Sequence, residues 1–273
     1  MQAPQEIRVQ NWADLQETLY AGSWNDRISR YRSDYVFRGL SSTSYDLKTS
    51  LMRLKSPYQS LEMNLLNSFR KYAHPSVIRD LPGHSVWHWL ALAQHHGLPT
   101  RLLDWTWSPF IAMHFATQDY ASFDRDGVIW CMHVWNAYKL LPDTLKKILD
   151  REHHNVFSVE MLEDAAPSLR EFDRLAEQPG PERREYVAFF EPPSFDDRIV
   201  NQYALFSVVS NPTVSLDALR NQHPYLFRKI VIPAELKAQV RDNLDQANIT
   251  ERMLFPGLDG LSRWLKRHYD AYS

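Results

Sequence analysis

Gln94-His95-His96-Gly97-Leu98-Pro99-Thr100-Arg101-Leu102-Leu103-Asp104-Trp105-Thr106 gathers two imidazoles, a guanidinium, a carboxylate and two threonine hydroxyls around a Gly/Pro turn. Helix-like runs lie on either side. Upstream, Ser85 to His96 carries Val86, Trp89, Leu90 and Ala93 as an apolar stripe, with Gly97 placed as C-terminal cap and Pro99 preventing continuation. Downstream, Ser108 as N-cap and Pro109 in the first turn begin a helix through Ile111, Ala112 and Phe115. A purely structural connection has little need of so many polar groups. The bend is therefore read as part of a polar site, completed by the earlier Phe37-Arg38-Gly39.

Working outward, Trp12 to Arg32 reads as a polar-faced helix, followed by a short strand, Tyr35-Val36-Phe37, ending at Arg38-Gly39. Tyr58 to Tyr72 has Leu61, Leu65, Leu66 and Phe69 at helical spacing. After Gly127 the character changes. Val128 to Val134 is apolar on both faces, as an interior strand would be, and Tyr186–Phe190, Ala204–Val209 and Phe227–Ile232 are further strand candidates. Leu140–Asp150 and Leu162–Glu177 are helical or loop-like, and Pro233–Leu244 and Leu258–His268 read as helices. The expectation is an α+β fold: a helix-rich first half, and a mostly antiparallel sheet formed by the later strands with the short early strand. With no repeat or linker evident, one domain is expected over residues 1–273, its core at about 30–265.

Hydrophobic residues at 44% and nine Trp argue for a packed core and against disorder. A net charge of -2 leaves no electrostatic footprint for nucleic acid or an anionic membrane, although a local basic groove is compatible with it. The lone Cys131 sits in an apolar run and reads as a buried thiol; it excludes an intramolecular disulfide and a cysteine-based zinc site. No apolar stretch approaches the ~20 residues that span a bilayer, and no signal-peptide core is evident, so cytoplasm is the expected compartment.

The chain resembles the FRG-domain family, named for its Phe-Arg-Gly motif. The resemblance rests on Val36-Phe37-Arg38-Gly39, Leu51-Met52-Arg53, the Ala93 to Thr106 block, and Pro109, Ala112 and Phe115-Ala116. Arg198 to Phe206 and Leu254 to Leu261 also fit. One departure is Tyr203-Ala204, where the family pattern usually has a glycine soon after the glutamine. The resemblance implies a fold more firmly than an activity, and a setting near mobile elements and phage-defence genes. A second similarity, to ADP-ribosyltransferases, rests on the order of Arg38, the His-Gly pair with Phe115-Ala116, and Gln202. It implies a nucleotide ligand, NAD as substrate, and transfer or cleavage at the ribose with a protein or nucleic-acid acceptor. The alternative is a nucleotide-sensing or interaction module without chemistry.

Each residue also has a bland reading. Arg38 suits a phosphate or carboxylate, with Gly39 allowing close backbone approach, or forms an internal ion pair with Asp104 or a late carboxylate. Adjacent helical residues point apart, so one of His95 and His96 faces the site; His96 is chosen, against a plain helix cap. Arg101 either pairs with Asp104 or meets a ligand phosphate, with Thr100 beside it, while Asp104 orients His96 or Arg38. Trp105 and Trp107 are stacking platforms or core. Gln202 bonds a ribose hydroxyl or satisfies buried backbone. The expected catalytic set is His96, Asp104 and Gln202; the ligand-binding set is Arg38, Gly39, His95, Thr100 and Arg101. The two histidines have the wrong spacing for a helical metal pair, and no metal is expected. An oxocarbenium-like state would need a carboxylate, for which Glu185, Glu191, Asp196 and Asp197 are candidates beside Gln202.

Overall fold

The structure, a computed structural model, describes residues 5–55, 58–73, 85–177 and 184–270. Among these residues nine strands form: β1 (Gln5–Arg8), β2 (Trp24–Asn25), β3 (Arg30–Tyr31), β4 (Tyr35–Leu40), β5 (Leu102–Thr106), β6 (Gly127–His133), β7 (Val187–Phe190), β8 (Ala204–Val209) and β9 (Phe227–Ile232). Seven of them form one sheet in the order β1-β9-β6-β4-β5-β8-β7, antiparallel at every junction except β1–β9. The early strand β4 thus joins the later strands in an α+β fold. Around the sheet lie α1 (Trp12–Tyr20), α2 (Tyr58–Tyr72), α3 (Val86–His95), α4 (Pro109–Thr117), α5 (Val134–Leu140), α6 (Asp143–Glu152), α7 (Val159–Ala165) and α8 (Leu169–Arg174). After β7 come α9 (Asp197–Asn201), α10 (Leu216–Gln222), α11 (Lys237–Gln246), α12 (Glu251–Leu254) and α13 (Leu258–Tyr269).

Strand alternation divides the core. Phe37, Ile129, Cys131, Ile230 and Ile232 pack with Ala112 and Met113 of α4 and Val240 of α11. Val36, Trp130, Met132, Leu103 and Trp105 form a second cluster with Leu216 and Leu219 of α10. Leu102, Phe206, Val208 and Phe190 form a third, beneath Trp87, Leu90 and Ala91 of α3. Strands β4 to β9 therefore meet apolar partners on both faces, which is why β6 lacks a polar side. Cys131 is buried and its thiol is pushed up to about 12 by that burial, so it is a packing group.

Three local expectations change. The first helix stops at Tyr20, because Gly22 at φ +75° turns the chain into the β2–β3 hairpin, where Trp24 pairs with Tyr31. β4 does not end at Arg38-Gly39 but runs to Leu40, pairing Arg38 with Trp130 and Gly39 with Ile129. The second half of the polar bend, Leu102–Thr106, is an interior strand rather than a connection. The helix ends hold as expected. His96 caps α3, Gly97 follows at φ +80°, and the amides of Gly97 and Leu98 return to the carbonyls of Gln94 and Ala93.

Candidate functional site

The sheet forks at the junction of β4 and β5. β4 pairs with β6 over six residues and β5 with β8 over five, but β4 and β5 share a single register pair, Phe37 with Thr106. Arg38 follows Phe37 and reaches across the opening. Its Nη1 donates to the Asp104 carbonyl at 2.5 Å and lies 3.8 Å from Asp104 Oδ2, while its Nε has no partner. Burial pushes the Arg38 pKa down; Asp104 opposes that and Arg53 adds to it. Gly39 turns the other way. A Cβ there would lie 1.8 Å from the Ala112 carbonyl oxygen of α4, so this glycine serves helix-on-sheet packing, and its expected place beside a ligand is corrected.

Gln94 and Asp104 form a partition beside the fork. Buried Thr100 donates through Oγ1 to Gln94 Oε1 at 2.5 Å, which orients the amide so that Nε2 donates to Asp104 Oδ2 at 3.0 Å. Thr100 thus positions Gln94 and does not itself open onto the cleft. Asp104 is 58% exposed, and its Oδ1 takes no hydrogen bond among the described residues. On one side of the partition is a cleft of about 310 Å³ bordered by Arg38, Tyr45, Asp46, Lys48 and Arg53. On the other is a cleft of about 400 Å³ bordered by His95, His96, Arg198 and Gln202. Arg38 and His96 therefore border adjoining clefts rather than one.

The two histidines divide as their helix position requires. His95 is nearly enclosed, and its Nε2 lies 2.7 Å from Asp196 Oδ2. The other Asp196 oxygen caps α9, accepting from the amides of Arg198 and Ile199. Burial would raise the Asp196 pKa, but the His95 hydrogen bond and those amides bring it below the usual carboxylate range. His96 is exposed at the cleft, and its pKa is lowered by burial and by neighbouring His95 and Arg198, against Asp196. A neutral imidazole at pH 7 follows.

Arg101 does not belong to the site. Its Nε and Nη2 donate to Glu62 at 2.6 and 2.5 Å and its Nη1 to Asp173 at 2.5 Å, in a buried triad that ties α2 and α8 to the start of β5. Those carboxylates hold its pKa above the usual value despite burial. The expected pairing with Asp104 is replaced by this triad, and a ligand phosphate would find no free donor edge. Gln202 borders the histidine cleft, but its Nε2 donates to the Leu254 carbonyl at 2.9 Å, and Asn201 Nδ2 donates to Met253. The pair caps the C-terminal carbonyls of α12, which supports the buried-backbone reading over the catalytic one. Trp105 is core, bonded to Ser207; Trp107 donates to Glu191. Glu185 holds Ser210 and Asn211, away from both clefts.

Tyr45, Asp46, Lys48 and Arg53 had no assigned role from sequence, although Arg53 lay within a quoted motif. Asp46 holds both cations: Lys48 Nζ is 3.2 Å away and Arg53 Nη2 donates to the same carboxylate. Among the described residues no group of three or more His, Cys, Asp or Glu side chains could hold a metal ion, and no helix is long and apolar enough to cross a membrane.

Residues 33–125, about a third of the chain, match the family model of the FRG domain, so the chain carries that domain across β4, the bend and α4. Arg38, the partition and both histidines lie inside the match; Asp196, Gln202 and the Leu254–Leu261 segment lie outside it. No curated protein and no solved structure matches the chain.

Proposed function

We propose that this FRG-domain protein binds a nucleotide of the NAD type across the Gln94–Asp104 partition. The observation that carries the reading is the fork itself: a partly exposed arginine and an exposed carboxylate sit where two strands part, with cations on one side and a neutral imidazole on the other. The diphosphate lies against Arg38, Lys48 and Arg53, whose donors suit phosphate oxygens. Tyr45 offers an exposed ring to a base. Asp104 and Gln94 accept from and donate to ribose hydroxyls, and His96 faces the distal half of the ligand.

If the ligand is cleaved, the glycosidic C–N bond breaks with its electron pair leaving on nicotinamide, and the ribosyl cation is stabilised by the nearest carboxylate. Asp104 fills that role in this chain, since Asp196 is committed to His95 and α9. Water or an acceptor nucleophile then takes the ribosyl carbon. A second reading, a sensor without turnover, is favoured by the engagement of Gln202 in capping α12.

The test is incubation of the full chain with NAD, following nicotinamide by chromatography, beside calorimetric titration with ADP-ribose. Nicotinamide release that is lost in Asp104→Asn supports the enzyme. Saturable ADP-ribose binding with NAD left intact supports the sensor. No heat and no turnover, with wild-type and Arg38→Ala chains behaving alike, rejects both.

A further inference from the structure

α13 carries its polarity the wrong way round. A helix packed on a core normally directs its apolar stripe inward; here the buried positions are Gly260 and Arg267. Gly260 lets the helix close on the turn before it, since a Cβ would lie 1.8 Å from the Phe255 carbonyl oxygen. Arg267 points inward, donating to Glu251 at 2.7 Å and to Asp245 at 2.7 Å. Leu258, Leu261, Leu265 and Tyr269 recur at steps of three and four on the opposite side. Leu258 is 79%, Leu265 38% and Tyr269 83% exposed. Three exposed apolar side chains and the half-buried Leu261, in line on one face, need a cover.

The flank of that stripe points to the cover. Asp259 and Lys266 lie two turns apart on one side of it, both exposed, and neither is ion-paired among the described residues. One acid and one base disposed symmetrically about Ser262 and Arg263 make the face complementary to itself when two copies run in opposite directions. A parallel two-fold pairing would leave the two copies of Asp259 and Lys266 on opposite flanks of the seam and bring no acid to a base.

We propose that the outward face of α13 packs antiparallel against the same face of a second copy of this chain. A two-fold axis near Ser262 places Asp259 of one protomer opposite Lys266 of the other, twice, with the leucines interleaved between them. The opposed helix dipoles are then antiparallel as well. One helix face is smaller than the ~800 Å² per partner of a standard interface, so the dimer is weak, with a Kd on the order of tens of micromolar.

Sedimentation velocity of the full chain, from about 2 to about 500 µM so as to bracket that Kd, reads the equilibrium. The expected result is a shift from monomer to dimer across the range, abolished by Leu265→Glu and weakened at least fivefold by Asp259→Lys. The double exchange Asp259→Lys with Lys266→Asp restores association. Circular dichroism melts check that each variant is folded, and Leu258→Ser serves in place of any that is not. A monomer at every concentration, a dimer indifferent to Leu265→Glu, or an exchange that fails to restore it overturns the proposal; in the first case the face meets some other molecule.

Discussion

Arg38 donates to the backbone carbonyl of Asp104 at 2.5 Å, across the point where β4 and β5 part. The opening of a sheet leaves carbonyls without their ladder partners, and an unsatisfied buried carbonyl costs free energy. Its Nη1 closes that defect, the Nε is buried without a partner, and 22% of the side chain stays exposed at the cleft. The same residue is therefore structural on one side and available on the other.

Removing it should be felt twice. Arg38→Ala is expected to destabilise the chain by about 1–3 kcal/mol through the stranded carbonyl and partner carboxylate. It should also abolish ADP-ribose binding at temperatures where the variant remains folded. Calorimetry beside a thermal melt separates the effects. Retained affinity in the folded variant contradicts a ligand role for Arg38.

Asp46 occupies the two cations that a diphosphate would use. Neutralising it frees them without removing either. Because the pair is largely solvent-exposed, the gain is of the order of 1 kcal/mol, so Asp46→Asn should tighten ADP-ribose binding about fivefold, and more at low salt. Equal or weaker binding would mean that the Tyr45–Arg53 cleft does not take the phosphates.

Arg101 supplies the contrast. Breaking a buried ion triad at one member leaves uncompensated carboxylates, so Arg101→Met should cost about 3–5 kcal/mol of stability. Ligand affinity of the folded fraction should stay within twofold of wild type. Denaturant unfolding and calorimetry on the same sample decide it; a selective loss of binding would return Arg101 to the site.

These contrasts mark where the sequence was legible. The α3 terminus could be read because its signals are local: Gly97 and Pro99 lie within three residues of His96. Ala204–Val209 and Phe227–Ile232 were readable as strands from composition alone. Leu102–Thr106 was not, because five residues with one charge show no usable period. Nor was β1, a polar four-residue edge strand paired with β9. Arg101 was misassigned for a different reason. Its carboxylates are 39 and 72 residues away, while Asp104, three residues on, looked the natural partner. Gln202 likewise found a carbonyl 52 residues downstream. Local chemistry identified the polar segments; long-range pairing decided which members were spent on the fold.

Two buried bases should give stability opposite pH limits to test. His114 is enclosed against Arg241, its Nδ1 2.7 Å from that guanidinium, and burial with the nearby cations holds its pKa well below the ordinary 6.5. The unfolded chain therefore binds the His114 proton first. The corresponding stability is present above pH 6.5 and lost as pH falls towards the folded value. Lys237 is also buried, donating to the carbonyls of Ser41 and Ser122 at 2.7 and 2.6 Å, and burial lowers its pKa from 10.5 to about 8. Between about 8 and 10.5 the unfolded chain holds more protons, so this residue makes stability rise with pH across that window. Denaturant midpoints measured from pH 5 to 10 should therefore climb through both windows. His114→Gln should flatten the acid limb and Lys237→Met the alkaline one, each leaving the other limb in place. If both variants keep the wild-type slopes, the pH dependence originates elsewhere in the chain, and neither burial carries the linkage assigned to it.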